Sequence, residues 1–345
     1  VGSRLDARLE RSLRQPAMKT WRHGIASPRL TLAGFVLLGL AVWATSSRPD
    51  VSSSWIALPA ALLAMNLLAS MTLHRSLRRG GLGLFHACLL VGMLAAAWGR
   101  LQHFEGRVEL TQGAAFEARA VEALSRGPWN DGGVARLQFE QGPWQVHYAP
   151  GMRRAHTVSE VHVAGIAAAQ RVGDTEPLVI DGYRFYTTHN KGFAPLLRWQ
   201  GVDREAVTGA VHLPSYPLFD AKQEQQWRTP DGVLVKLWLR LDAPPAEREA
   251  WLFDPGTLAA TLVVELQGRR IELRPGQEAF SPLGTLRYER LLGWMGYRIH
   301  YDPALTPLFW LALLGIAGLA WHLVTSGTMR RRLRMVFVPL AGRTQ

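Results

Sequence analysis

Leu82-Gly-Leu-Phe-His-Ala-Cys-Leu-Leu-Val-Gly-Met-Leu-Ala-Ala-Ala-Trp-Gly99 contains no Asp, Glu, Lys or Arg. Its length is close to the ~20 residues a helix needs to cross a bilayer. Three further runs share this character, at residues 30–44, 55–73 and 305–324, the first being the shortest. The pattern predicts an integral membrane protein with four transmembrane helices. A large extracytoplasmic domain, β-rich and sandwich-like, then lies between helices 3 and 4. The expected layout is a basic N-terminal segment at 1–29, three spans within 30–99, the outer domain at 100–303, the last span at 304–325 and a basic tail at 326–345.

The distribution of charge orients these spans. Basic residues crowd the segment before the first span (Arg4 to Arg29), the loop between the second and third (Arg75, Arg78, Arg79) and the tail (Arg330, Arg331, Arg332, Arg334, Arg343). Short Lys/Arg-rich segments stay in the cytoplasm. Both termini are therefore expected inside, and residues 100–303 outside, in the periplasm of a bacterial inner membrane. The formal charge of +12 belongs to these membrane flanks, because the large outer segment is nearly balanced. A basic groove for nucleic acid is thus not implied, and no nucleic-acid partner is expected. Residues 30–44 are short enough for a signal-peptide core, but the long basic lead and the two spans close behind favour an uncleaved first helix.

Cys88 is the only cysteine, and it lies in the third span. An internal disulfide, a Cys-x-x-Cys reductant, a covalently bound c-type haem and a Cys-rich metal centre are all excluded. Cys88 itself reads as a small packing residue.

The outer segment carries short alternating or β-branched runs at 135–140, 144–148, 158–163, 178–187, 233–241, 261–267, 270–273 and 285–290, punctuated by Gly and Pro turn signals. Residues 244–251 read as a short helical turn. Neither a nucleophile elbow nor a zincin motif nor a phosphate-binding loop is present. The outer histidines (His103, His147, His156, His162, His189, His212, His300) have no ligand spacing and read as solvated or locally bonded. Trp129, Trp144, Trp199, Trp227, Trp238, Trp251 and Trp294 are candidates for a binding face, although single tryptophans in strands mostly pack inward.

The membrane histidines stand apart. His86 sits about 7 Å into the third span at 1.5 Å per residue, and His322 near the end of the fourth. Ionisable groups at such depth mark a pathway, a pair or a cofactor, and imidazole is a common haem ligand. Each also has a plainer reading: His86 as a donor to a backbone carbonyl, His322 as an interfacial anchor beside Trp321. Asn66, in the second span, reads as a helix–helix hydrogen-bonding residue, and His74 as a solvated flank.

The order of three helices, one outer domain and a final helix resembles the ResB (CcsB) family of cytochrome c biogenesis proteins. Several segments carry the likeness: Glu176-Pro-Leu-Val-Ile-Asp-Gly-Tyr-Arg-Phe-Tyr186, Val158-Ser-Glu-Val-His-Val163, Gly296-Tyr-Arg-Ile-His-Tyr-Asp-Pro303, and Phe85-His86 opening an apolar helix. The resemblance covers roughly residues 30–334.

It implies a subunit of a system II cytochrome c synthase rather than a stand-alone enzyme. Such a subunit works with a ResC/CcsA-type membrane partner. The pair carries haem b, held transiently and without a covalent bond, to the outer face for attachment to apocytochrome c. By this likeness His86 is the haem axial ligand, binding the iron. The trans ligand is expected on the partner, with His322 the weaker alternative within the chain, taken to share the depth of His86. Arg78 and Arg79 could meet haem propionates, although membrane anchoring alone accounts for them. A thiol reductant of thioredoxin type is also implied, since this chain has no redox motif. Two other classes stay open: a membrane-anchored scaffold that assembles a respiratory complex and binds no haem, and a transporter subunit without attachment chemistry.

Overall fold

A computed structural model of the chain describes residues 24–48, 53–202, 205–213, 224–243 and 248–326. The basic segment before residue 24, the tail from 327 and residues 244–247 of the expected helical turn lie outside these. The chain divides into two compact units, Val1–Leu101 with Pro303–Gln345, and Gln102–Asp302.

Among the described residues the first unit holds four apolar helices, α1 (Pro28–Ser47), α2 (Ala57–Leu73), α3 (Gly80–Gln102) and α4 (Leu305–Thr325). Three are long and apolar enough to cross a membrane, whereas α2 has 17 residues. At 1.5 Å per residue α2 covers about 25 Å, a little less than a hydrocarbon core. Ser27 caps α1, its Oγ accepting from Arg29 N at 3.3 Å, and Pro28 occupies the first turn, where no amide proton is needed.

Asn66 joins α1 to α2, as its residue type suggested. Its Nδ2 donates to Ile25 O at 2.5 Å and to Ser27 O at 3.2 Å, while its Oδ1 accepts from Thr31 Oγ1 at 2.7 Å. An amide in an apolar helix is tolerable when its donors and acceptor are all used in this way. Leu63 seats on Gly34, where a β-carbon would come within 2.7 Å of Leu63 Cδ2.

Small residues also make the contact between α3 and α4. A β-carbon on Gly81 would overlap the Gly318 carbonyl, and one on Gly315 would lie 3.4 Å from Cys88 Cβ. Helix association in lipid depends on such close backbone approach, because apolar side chains gain nothing by leaving one hydrocarbon for another. Cys88 is 7% exposed and fills this contact.

Among the described residues the second unit has fifteen strands. A seven-stranded sheet runs β2 (Glu122–Arg126), β1 (Phe104–Thr111), β15 (Gly284–Tyr301), β7 (Tyr183–Gly201), β6 (Leu178–Ile180), with β14 (Glu278–Ser281) on β15 and β8 (Val207–Ala210) on β7. A second sheet is β11 (Trp251–Phe253), β3 (Phe139–Ala149), β4 (Arg153–Val163), β5 (Gln170–Gly173). The third is β13 (Arg269–Leu273), β12 (Ala260–Leu266), β10 (Leu234–Leu241), β9 (Glu224–Arg228). One continuous apolar core draws on all three, including Phe185 and Tyr297 of the first, Val146 and Phe253 of the second, and Leu237 and Leu262 of the third.

β7 and β15 pair antiparallel over nearly their whole length. A bulge between Tyr288 and Arg290 shifts the phase of β15. Leu286 and Tyr288 before it, and Met295, Tyr297 and Ile299 after it, consequently line the same core. Midway, Ala194, Leu292 and Trp294 form a second small cluster on the opposite face. Residues 211–213 run on beside β7, Val211 N donating to Pro195 O at 3.1 Å and Leu213 N to Phe193 O at 2.9 Å. His212 thus falls on that face and stacks on Trp294 with ring centroids 4.9 Å apart, while Trp294 Nε1 donates to Leu213 O at 2.8 Å.

Several sequence expectations need correction here. The run 178–187 is two strands, because Asp181 and Gly182 have φ of 49° and 83° and turn a two-residue hairpin. Asp-Gly is a favoured pair for such turns. Residues 133–136 form a 3₁₀ turn, so β3 starts only at Phe139. The run 285–290 is the first third of β15, whose bulges break the alternation a single strand would show. Trp251, expected to close a helical turn, opens β11.

Gln141, Ser159 and Tyr297 make a closed cycle of buried hydrogen bonds between the first two sheets. Gln141 Nε2 donates to Ser159 Oγ (2.8 Å), the Ser159 hydroxyl to Tyr297 Oη (2.8 Å), and the Tyr297 hydroxyl to Gln141 Oε1 (2.7 Å). Burial pushes the Tyr297 phenol up to about 12, against the two hydrogen bonds. Tyr297→Phe leaves two buried polar atoms short of a partner, a loss of about 1–3 kcal/mol. The expected outcome is a melting temperature lower by several degrees in the full-length variant. A second test concerns the helices. In Gly315→Cys, the new thiol and Cys88 stand at a β-carbon separation close to that of a disulfide. Mild oxidation should cross-link them, seen as a faster-migrating band on non-reducing gels, and Cys88→Ala in the same background should abolish it.

Candidate functional site

The site begins where α3 begins. A 3₁₀ turn, Arg75–Arg78, precedes it, and Gly80 at φ 56° redirects the chain into the helix. His74, on the flank, is exposed, with its Nδ1 3.2 Å from Ser70 O.

His86 lies in the second turn of α3 and is half-buried. Its Nδ1 is 2.8 Å from the Leu82 carbonyl. A carbonyl can only accept, so Nδ1 carries the proton, and in the neutral ring the lone pair is on Nε2. Metal-binding histidines commonly have this arrangement, one ring nitrogen held by a carbonyl and the other directed at the metal. Phe85 packs edge-on against the ring at 5.4 Å.

The contacts of α4 show which way His86 faces. α4 meets α3 along Gly81, Leu84, Phe85, Cys88 and Gly92. On a helix of 3.6 residues per turn, position 86 lies roughly 140° around from the middle of that stripe. His86 therefore shares a face with Leu82, Leu89 and Met93, away from α4.

His322 belongs to the last turn of α4, and its carbonyl accepts from Ser326 N at 2.8 Å. A β-carbon on Gly81 would lie 2.6 Å from His322 N, so His322 is level with Gly81. His86 is five residues further along α3, a rise of roughly 7 Å. The two histidines do not share one depth, as their counted positions had suggested, and no ring contact joins them among the described residues.

In the outer unit, most of the tryptophans named from the sequence are structural. Trp144, Trp199 and Trp294 are buried, whereas Trp129 is 63% exposed. His103 bonds Ser125 at 2.7 Å, and His147 and His156 stack across β3 and β4 at 4.1 Å. Among the described residues, no group of three or more His, Cys, Asp or Glu side chains is placed to hold a metal. Sequence reasoning missed two features. His212 lies between Thr111 Oγ1 (2.8 Å from Nε2) and Glu109 (3.3 Å from Nδ1), and its hydrogen bond helps hold the Glu109 carboxyl below the usual range. This triad holds the His212 ring over Trp294.

Lys191 is the other. It is 4% exposed, and its Nζ donates to Thr188 O at 2.8 Å. Burial, with repulsion from Arg154, pulls its pKa down to about 8, against attraction to Asp174. Nothing local in the sequence marks this residue, because its burial comes from packing beside the irregularity in the β7–β15 pairing.

The ordinary lysine value is 10.5, so between about pH 8 and that value the unfolded chain holds a proton the folded one has released. Stability must therefore rise with pH across this window. Lys191→Met should flatten that rise in melting temperature while raising the value at pH 7, as followed in the full-length protein between pH 7 and 10.

These observations define a class: a membrane protein with a β-rich unit inserted before its last apolar helix and an imidazole within the preceding one. A family model for the ResB-like family matches residues 74–343, and the chain belongs to that family. The family is associated with cytochrome c biogenesis. A search of curated proteins finds no match to the chain. The matched region includes α3, His86, the outer unit and α4.

Proposed function

We propose that this chain is a subunit of a system II cytochrome c synthase, acting with a ResC/CcsA-type membrane partner to move haem across a bacterial inner membrane and present it to apocytochrome c. The observation that carries this reading is the state of His86. Its Nδ1 proton is committed to Leu82, Nε2 has the free pair, and the ring faces away from α4. A haem substrate would supply the iron that Nε2 ligates and the vinyl groups that become thioethers. The residues fit one axial position. The second ligand then comes from the partner, because His322 is carried by the helix packed on the opposite stripe of α3.

In this reading α2 also spans the bilayer, both termini are cytoplasmic and the β-rich unit is extracytoplasmic. The chain acts as part of a haem lyase complex, with a thioredoxin-type thiol reductant keeping the apocytochrome cysteines free. Haem b is held transiently, and β5 and β9, which end their sheets among the described residues, are edges along which an extended apocytochrome segment could pair.

The test is the visible absorption spectrum of the full-length chain copurified with its ResC-like partner. Wild type should show Soret and α/β bands of bis-histidine haem. His86→Ala should lose or shift them, with recovery on adding imidazole, and His322→Ala should keep them. A stable, inserted complex without haem in any sample would overturn the ligand assignment and favour the scaffold reading.

A further inference from the structure

The turn between β3 and β4 brings together two histidines that the sequence keeps apart. His147 and His156 stand directly opposite each other in this antiparallel pair. Their rings stack face to face, with centroids 4.1 Å apart and planes 16° from parallel. Directly opposed residues point to one face of a sheet, their β-carbons about 5 Å apart. The two imidazoles therefore approach any shared ligand from the same side.

The platform beneath them is fixed. Val146, Tyr148 and Thr157, their neighbours along the strands, turn to the opposite face and are buried. The pairing shifts immediately after His147, where Tyr148 meets Arg154 instead of residue 155. Bulges of this kind re-aim side chains and recur beside functional sites. β11 flanks the pair, with Leu252 opposite His147 and 45% exposed. His147 itself is half-buried, whereas His156 is exposed.

Charged groups flank the pair on the same face. Gln145, two residues before His147, donates through Nε2 to Asp254 Oδ2 at 2.9 Å. Beyond the bulge, Arg153 lies opposite Ala149. Burial, with repulsion from His156, holds His147 below the usual histidine range. A neutral imidazole keeps a nitrogen lone pair at pH 7, so a metal ion has no proton to displace there.

Two metal–imidazole bonds of about 2.0–2.1 Å span at most about 4.2 Å, which matches the spacing of the rings. A modest tilt of the rings brings one nitrogen from each onto a single ion. Imidazole suits copper, zinc and nickel, whereas magnesium and calcium take oxygen ligands, and copper(II) binds nitrogen donors most tightly of the divalent series. Haem is a poor fit, since its two axial bonds point in opposite directions and these rings share one face.

We propose that His147 and His156 form a two-histidine site for a late first-row divalent metal ion, copper(II) ahead of zinc(II), with water completing the coordination. The proposal is independent of the haem reading. Its test is copper(II) titration of the tag-free, full-length protein in a non-coordinating buffer at pH 7, followed by electron paramagnetic resonance. One equivalent should bind ahead of any other, with splitting from two imidazole nitrogens. Zinc(II) should compete for it, and magnesium should not.

His147→Gln and His156→Gln should each weaken that binding at least about tenfold, because losing even a group hydrogen-bonded to a metal ligand costs as much. His162→Gln, on the same hairpin, should leave it unchanged. Both histidines project from the outer face of the sheet, so their variants should melt at the wild-type temperature without metal. Undiminished copper binding in both variants would overturn the proposal. So would an equal loss in His162→Gln, or a titration in which no copper equivalent binds ahead of the rest.

Discussion

The outer unit depends on the antiparallel pairing of β7 with β15. Every strand of the seven-stranded sheet is hydrogen-bonded to one of these two or to a strand beside them. Backbone groups buried midway along so long a pair must be satisfied by the partner strand, since water does not reach them. The ladder therefore has to hold its register while the core changes sides. The bulge after Tyr288 does this, returning Met295, Tyr297 and Ile299 to the core that Leu286 and Tyr288 already line. The cost is a midsection buried on both faces, where Trp294 is covered by the His212 ring and bonded to the Leu213 carbonyl.

Polar groups inside this unit are kept by being paired. The Gln141–Ser159–Tyr297 cycle satisfies three side chains with one another, fixing the alignment of two sheets as well as their contact. Lys191 is a different case. It has an acceptor in Thr188, but burial still disfavours its charge, so its proton is held less firmly than a solvated lysine's.

Between the helices the constraint is close approach. Gly81, Gly315 and Gly318 bring α3 and α4 together along one stripe. That packing leaves the Leu82–His86–Met93 face of α3 for something other than α4. An imidazole on that face, proton committed on one nitrogen and lone pair on the other, suits a ligand shared with a second polypeptide, which is the role proposed for His86.

The sequence by itself determined the elements whose free energy is local. Apolar runs without a charge became helices, Asn66 became the bond between α1 and α2, and most of the strands inferred from alternation are present. Asp181-Gly182 was legible too, as a turn signal inside a run read as one strand. His86 could be singled out from its depth in an apolar run, whereas its facing depended on where α4 packs. Tertiary structure alone decided the phase change at Tyr288, the length of β15 and the burial of Lys191. The physical reason is common to these cases. Helix and strand preferences add up along neighbouring residues, but burial, facing and pKa depend on atoms brought from distant parts of the chain.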